Sequence, residues 1–237
     1  MSSPVREPGG VRVGRVGSDE PSGRNRRGPY APTRARRDAV GSVALEIVDE
    51  LGHEAVTTAL VAERSGIAKP AVHYHFPTRD HLLVAALERI DLSVDIDTIN
   101  NIDEQPVESI NFETIIPRTG EHVFSSEKRL RLYVSVHGQS ATPGHPAAEY
   151  FTRRTRLQLA LFTKIVAALQ VSGRAHPGLD PRTTAQQVIA HWDGLVFLGI
   201  HDPGFDLEAV LLDGIRRIVG RNWVDTLAAL TATDAGL

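Results

Sequence analysis

The stretch Thr57–Asp80, TTALVAERSGIAKPAVHYHFPTRD, decides the fold. Thr57 offers a hydroxyl that can cap a helix by accepting a bond from a backbone N–H one turn on. That helix passes Val61 and Ala62 and stops at Ser65-Gly66. Another begins near Ala68, with Pro70 in its first turn, where a missing N–H costs nothing. Val72 and Phe76, four residues apart, bury one side of it. Lys69, His73, Tyr74 and His75 remain on the other. Pro77-Thr78 breaks the chain and opens a further helix, with Leu82, Leu83, Ala86, Leu87 and Ile90 as its apolar face. Upstream, from Thr33, the residues Val40, Val43, Ala44, Ile47, Val48 and Leu51 recur with the helical period. Gly52 follows, where a left-handed cap usually sits.

Three helices with a tight glycine-containing turn between the second and third make a helix-turn-helix. In that motif the last helix enters the major groove, whose width of about 12 Å admits it. Lys69 then sits at the groove-facing end, where amides and the helix dipole also favour phosphate. Thr57–Asp80 resembles the DNA-binding signature of the tetracycline-repressor (TetR) family. Ala62-Glu63-Arg64, Gly66, Lys69, His75-Phe76 and Arg79 all fall where that signature puts them. The likeness runs from Thr33 to Leu83. It implies an all-helical homodimer whose N-terminal domain binds a palindromic operator and whose larger C-terminal domain binds an inducer. It also implies DNA-contact positions at or near Thr57, Lys69, His73, Tyr74, His75 and Arg79. Two residues depart from the pattern. Ala68 replaces the usual Ser or Thr cap of the recognition helix, forgoing about 1 kcal/mol, and His73 stands where Tyr is common.

The composition agrees with a helical protein. The chain has 237 residues, 41% of them apolar, enough for a sizeable core, while aromatics are only 5%. Cysteine is absent, which excludes disulfide scaffolds, thiolate zinc sites and a cysteine nucleophile. No apolar run is long enough for a transmembrane helix, and the N-terminus has no secretory h-region. The net charge of -3 hides an asymmetry. Residues 1–37 hold nine Arg against Glu7, Asp19 and Glu20, a balance of +6, and the other 200 residues carry a balance of -9. A basic arm on an acidic body suits a nucleic-acid binder. Residues 1–28, rich in Gly, Pro, Ser and Arg, read as a disordered tail. Arg24, Arg26, Arg27, Arg34, Arg36 and Arg37 are candidates for phosphate or minor-groove contacts. Deleting residues 1–28 should then flatten the salt dependence of DNA binding, and an unchanged slope rejects that role.

The rest of the chain is helical but less diagnostic. Pro106, Pro117 and Gly120 interrupt residues 91–125, leaving room for a short helix over Val107–Ile116. Helices are expected over about Glu127–Ser140 and Ala147–Val171. A third follows a cap at Asp180 with Pro181 at its first position, and a last follows a cap at Asp206. His145-Pro146-Ala147, Tyr150-Phe151 and Asp193-Gly194-Leu195 with Asp202-Pro203 are similar to C-terminal domains of the same family. That likeness implies that the last two long helices pack against those of a second subunit. Tyr133, His137, Phe151, Phe162, Trp192 and Phe197 are the candidates for lining an inducer pocket, and each fits a plain helix-bundle core equally well. The expected division is a tail over 1–28, a DNA-binding domain over 29–80, a ligand-binding and dimerisation domain over 81–223, and a tail over 224–237.

Two other chemistries compete. His73-Tyr74-His75 is an H-x-H, but on a helix the two imidazoles point about 200° apart and cannot share a metal. His201-Asp202 is similar to the metal-binding dipeptide of HD-type phosphohydrolases, which makes a metal-dependent hydrolase the alternative function. A non-specific architectural DNA protein is the other rival, and the acidic body gives it no wrapping surface. The reading is a non-enzymatic, cytoplasmic, all-α regulator of transcription with no metal, cofactor or membrane partner. It is expected to act as a homodimeric repressor, released from double-stranded operator DNA by a small-molecule inducer.

Overall fold

The computed structural model describes residues 30–93, 106, 109–113, 116, 126–202, 204–220, 227 and 231. The expected tail over 1–28, all of the 224–237 tail but residues 227 and 231, and four of the ten residues of the expected Val107–Ile116 helix lie outside these residues. Among the described residues there are eight α-helices and no strand. They are α1 (Tyr30–Leu51), α2 (Thr58–Ser65), α3 (Lys69–His75), α4 (Arg79–Ser93), α5 (Glu127–Gln139), α6 (Pro146–Val171), α7 (Pro181–His201) and α8 (Leu207–Ile218). A 3-10 turn, His53–Ala55, links α1 to α2.

The helix ends follow the expected chemistry. Thr57 accepts from the Leu60 N–H, Asp180 from Thr183 and Asp206 from Ala209, at 3.2, 2.8 and 3.0 Å. Gly66 ends α2 at φ 67, a left-handed conformation that a side chain would strain, and so turns the chain into α3. Three boundaries differ from expectation. α1 starts three residues earlier, at Tyr30, and α5 stops one residue short of Ser140. α6 starts at Pro146, because the His145 Nδ1 accepts from the Ala147 N–H at 3.2 Å and caps it.

α1 and α4 form the backbone of the N-terminal domain. Val40, Ala44, Ile47 and Val48 of α1 meet Leu82, Leu83 and Ala86 of α4, all buried. The approach is closest at Gly41, where a Cβ would stand 3.0 Å from the Ala85 carbonyl oxygen and 3.1 Å from Arg89 Cγ. Gly41→Leu should therefore lower stability by about 1–3 kcal/mol through overpacking, read as a lower urea midpoint. Val61, Val72 and Phe76 complete this core and hold α2 and α3 on the outside of the pair. α4 runs on into the larger domain, where α5, α6, α7 and α8 continue the same buried cluster around Leu132, Ile165, Val196 and Leu211. No described helix is long and apolar enough to cross a membrane.

Candidate nucleic-acid interface and the polar core behind it

α3 has only seven residues, so its stability comes from docking rather than from propensity. Val72 and the C-cap residue Phe76 are buried and fix its inner face. Ala68 makes no side-chain cap bond, as its chemistry requires. The outer face is open: Lys69 and His73 are exposed, and Tyr74 is 81% exposed. The Tyr74 ring meets His75 edge-on at 5.1 Å. Thr57 is exposed beside them, and its cap bond uses its oxygen as acceptor, which leaves the hydroxyl proton to donate outward. Arg34, Arg36 and Arg37 are exposed on the first turns of α1, and the Arg37 guanidinium lies 5.0 Å over the Phe76 ring. Arg37 is thereby tied to the end of α3.

Arg79 departs from the expected arrangement. Its Nε donates to the Val56 carbonyl at 3.1 Å and its Nη2 to the His53 carbonyl at 2.6 Å. The guanidinium thus satisfies the backbone of the turn before α2. It positions the motif from within.

A seam of ion pairs mounts this domain on the next, with every acid on the N-terminal side and every base on the C-terminal side. Asp49 takes both arms of Arg129, each at 2.7 Å, and Lys128 Nζ donates to the last carbonyls of α1. Asp80 faces the His145 Nε2 at 3.4 Å, and Glu88 meets Arg153 at 2.9 Å. Exposed pairs of this kind contribute about 0–1 kcal/mol each. Their joint effect is orientation.

The deepest member is different in kind. Arg154 of α6, its side chain 10% exposed, donates from Nε to Asp91 of α4 at 3.2 Å. Its Nη1 donates to the Tyr133 hydroxyl of α5 and to Gln158, both at 3.0 Å. Tyr133 donates in turn to Asp193 of α7 at 3.0 Å, and Tyr150 donates to Asp91 at 2.6 Å. Burial, with the neighbouring carboxylates, pushes both phenols above their ordinary pKa, so they remain donors. Four helices are thus joined through one cation. The sequence reading named Tyr133 but not Arg154, Asp91 or Asp193 as its partners.

The six pocket candidates do not converge on one cavity. Tyr133, His137 and Phe151 do cluster: the His137 ring stacks on Phe151 at 4.3 Å, and Tyr133 meets Phe151 edge-on at 5.5 Å. Phe162 packs instead against Phe112 at 5.6 Å, and Trp192 is buried in α7. Phe197 is 56% exposed and lines nothing internal. One cavity of about 330 Å³ lies among Phe112, Leu169, Arg174, Ile215 and Arg216, and a cleft of about 620 Å³ runs along α6 over Phe151.

Burial lowers the pKa of His137 from its ordinary 6.5, with Asp193 opposing and Arg154 reinforcing the shift. Burial also lowers His53, with Glu54 opposing and Arg79 and Arg131 reinforcing. The unfolded chain therefore binds protons at these rings where the folded chain does not. Their share of stability is complete above about pH 6.5 and is lost as pH falls from there through the folded-state values. The urea midpoint should drop between about pH 7.5 and pH 5.5, and His137→Phe should remove part of that drop.

His73 and His75 both sit on α3, and His201 and Asp202 are exposed at the end of α7. Among the described residues no three His, Asp or Glu are grouped to hold a metal.

A short docked helix with an exposed polar face, carried on a three-helix unit and followed by a helical bundle, defines a helix-turn-helix protein with a second, all-α domain. Residues 42–86 match the model for bacterial regulatory proteins of the tetR family. The HTH-type transcriptional activator FasR of Mycolicibacterium smegmatis is 35% identical over 75 residues, 32% of this chain and 34% of that protein. The tetracycline repressor protein class C of Escherichia coli is 40% identical over 55 residues, 23% of this chain and 25% of that one. The match thus spans about a third or less of these relatives' length. The fold extends further. NalD, the secondary repressor of the MexAB-OprM multidrug efflux pump in Pseudomonas aeruginosa, has a TM-score of 0.57 at 24% identity, covering 81% of this chain and all of that one. Residues 42–86 thus form a DNA-binding domain of the tetR type. That likeness favours a regulator of transcription, whereas the phosphohydrolase alternative rests on His201-Asp202 alone.

Proposed function

We propose that the chain is a sequence-specific repressor, acting as a homodimer on a palindromic operator and released by a small molecule. One observation carries the reading: α3 presents Lys69, His73 and Tyr74 outward while Val72 and Phe76 hold it from behind. Such a face contributes little to folding. It suits base edges and phosphates in a major groove.

The dimer rests on α7 and α8. Phe197, Leu198 and Val210 are 56%, 46% and 41% exposed, and Gly194 and Ala190 extend the same open stripe one and two turns back along α7. A second copy covering this stripe sets two α3 helices on a two-fold axis, reading half-sites about 34–36 Å apart or a multiple of that. Phe197→Arg should shift the protein to monomer in sedimentation velocity and weaken operator binding with it. A ligand in the larger domain acts only through its different affinity for the two spacings. α4 is the lever, since Glu88 and Asp91 bond to the C-terminal domain and Asp80 faces His145 of it.

The test is binding to the intergenic DNA beside the chain's own gene against a scrambled duplex, across a salt series. Discrimination by several kcal/mol with a two-fold-symmetric footprint supports the proposal. Equal, steeply salt-dependent binding to both duplexes leaves only the electrostatic term and rejects it.

A further inference from the structure

The cleft along α6 combines three features that no role above explains. Its floor is apolar, formed by Phe151 and Leu159. Thr152 and Thr155 supply hydroxyls along one side. Arg156 and Arg182 also line it, and neither has a carboxylate within ion-pair distance among the described residues. That contrasts with Arg129, Arg153, Arg154, Arg216 and Arg217, each of which is paired. Asp180 lies near enough to Arg182 to feel its charge without pairing with it, so two guanidiniums outside any ion pair stand over an apolar floor, complementary to an anionic group on an apolar body. The volume of about 620 Å³ is within the range of small-molecule sites.

We infer that this cleft binds an organic anion, its carboxylate or phosphate on Arg156 and Arg182 and its apolar body on Phe151. The position gives the occupant a route to the lever. Phe151 touches His137 at 4.3 Å, Tyr150 at 4.9 Å and Tyr133 at 5.5 Å. Tyr150 and, through Arg154, Tyr133 connect to Asp91 of α4. An occupant that shifts the Phe151 ring therefore presses on the network that fixes α4. Only this consequence rests on the DNA-binding proposal; the site itself does not.

The experiment is calorimetric titration of the DNA-free, full-length protein with decanoate, decyl phosphate and 1-decanol. Saturable one-to-one binding of at least one anion is expected, with decanol at least tenfold weaker. The Arg156→Ala, Arg182→Ala double variant should weaken anion binding at least tenfold; both side chains are exposed, so helix content by circular dichroism should not change. Preference between the two anions identifies the headgroup. No saturable binding of either anion, equal binding of decanol, or unchanged binding by the double variant overturns the inference. A protein that binds no operator leaves these titrations intact, so the two readings fail separately.

Discussion

Arg154→Met lowers the stability of the folded chain by about 2–4 kcal/mol, roughly 5–15 °C in melting midpoint for a protein of this size. Methionine keeps much of the length and apolar stem of arginine, so little packing is lost and the effect is electrostatic. The Asp91 carboxylate loses the Arg154 Nε donor and keeps Tyr150 as a partner. The Tyr133 oxygen loses the Nη1 donor while its own proton stays with Asp193. Breaking a buried pair from one side costs about 3–5 kcal/mol, because the remaining charge is uncompensated. The Asp91 side chain is 34% exposed, so water supplies part of what is lost and the expected figure is lower. A double variant separates this cause from simple damage. Arg154→Met with Asp91→Leu removes the stranded charge together with its partner. It should recover more than half of the loss, the remainder, about 1 kcal/mol, being the Tyr150 hydroxyl left without its acceptor. Urea unfolding of the two single variants and the double variant closes the cycle. A single variant within about 0.5 kcal/mol of the parent shows that this cation does not hold the four helices.

The contrast between this network and the DNA-reading motif marks what a sequence can show. The motif is local: the period of Val40 to Leu51, the cap at Thr57, the turn at Gly66 and the proline in the first turn of α3 each act within one or two helical turns. Asp180 and Asp206 were legible as caps for the same reason, whereas His145 was not, since imidazole is a rare capping acceptor. Arg154 and Asp91 lie 63 residues apart, and Tyr133 and Asp193 lie 60 apart. No periodicity relates such pairs. Arg79 shows a second limit: its place in the motif pointed to DNA, but the carbonyls of His53 and Val56 come within its reach only after folding. Phe197 shows a third. α7 is apolar on two sides, and the pattern alone does not say which side faces inward.

Tyr74→Ala should leave stability within about 0.5 kcal/mol of the parent and weaken operator binding by about 1–3 kcal/mol, roughly 5–150-fold. The first half follows from exposure. Tyr74 is 81% exposed and touches only the edge of His75, so its removal opens no cavity, and alanine favours the helix slightly. The second half follows from position. With Val72 and Phe76 anchored below, the phenol projects from the outer face of α3, where its hydroxyl can bond a phosphate or base edge and its ring can cover a sugar or a thymine methyl. The salt series tells these contacts apart from that of Lys69. Tyrosine releases no counterion, so Tyr74→Ala should lower affinity without changing the slope. Lys69→Ala should weaken operator and scrambled duplex alike and reduce the slope by about one. If Tyr74 reads a base, its loss should also shrink the ratio between the two duplexes; if it bonds only phosphate, the ratio should stay constant. A folded Tyr74→Ala variant that binds operator within twofold of the parent means that the outer face of α3 is not the reading surface, and the proposal built on it fails.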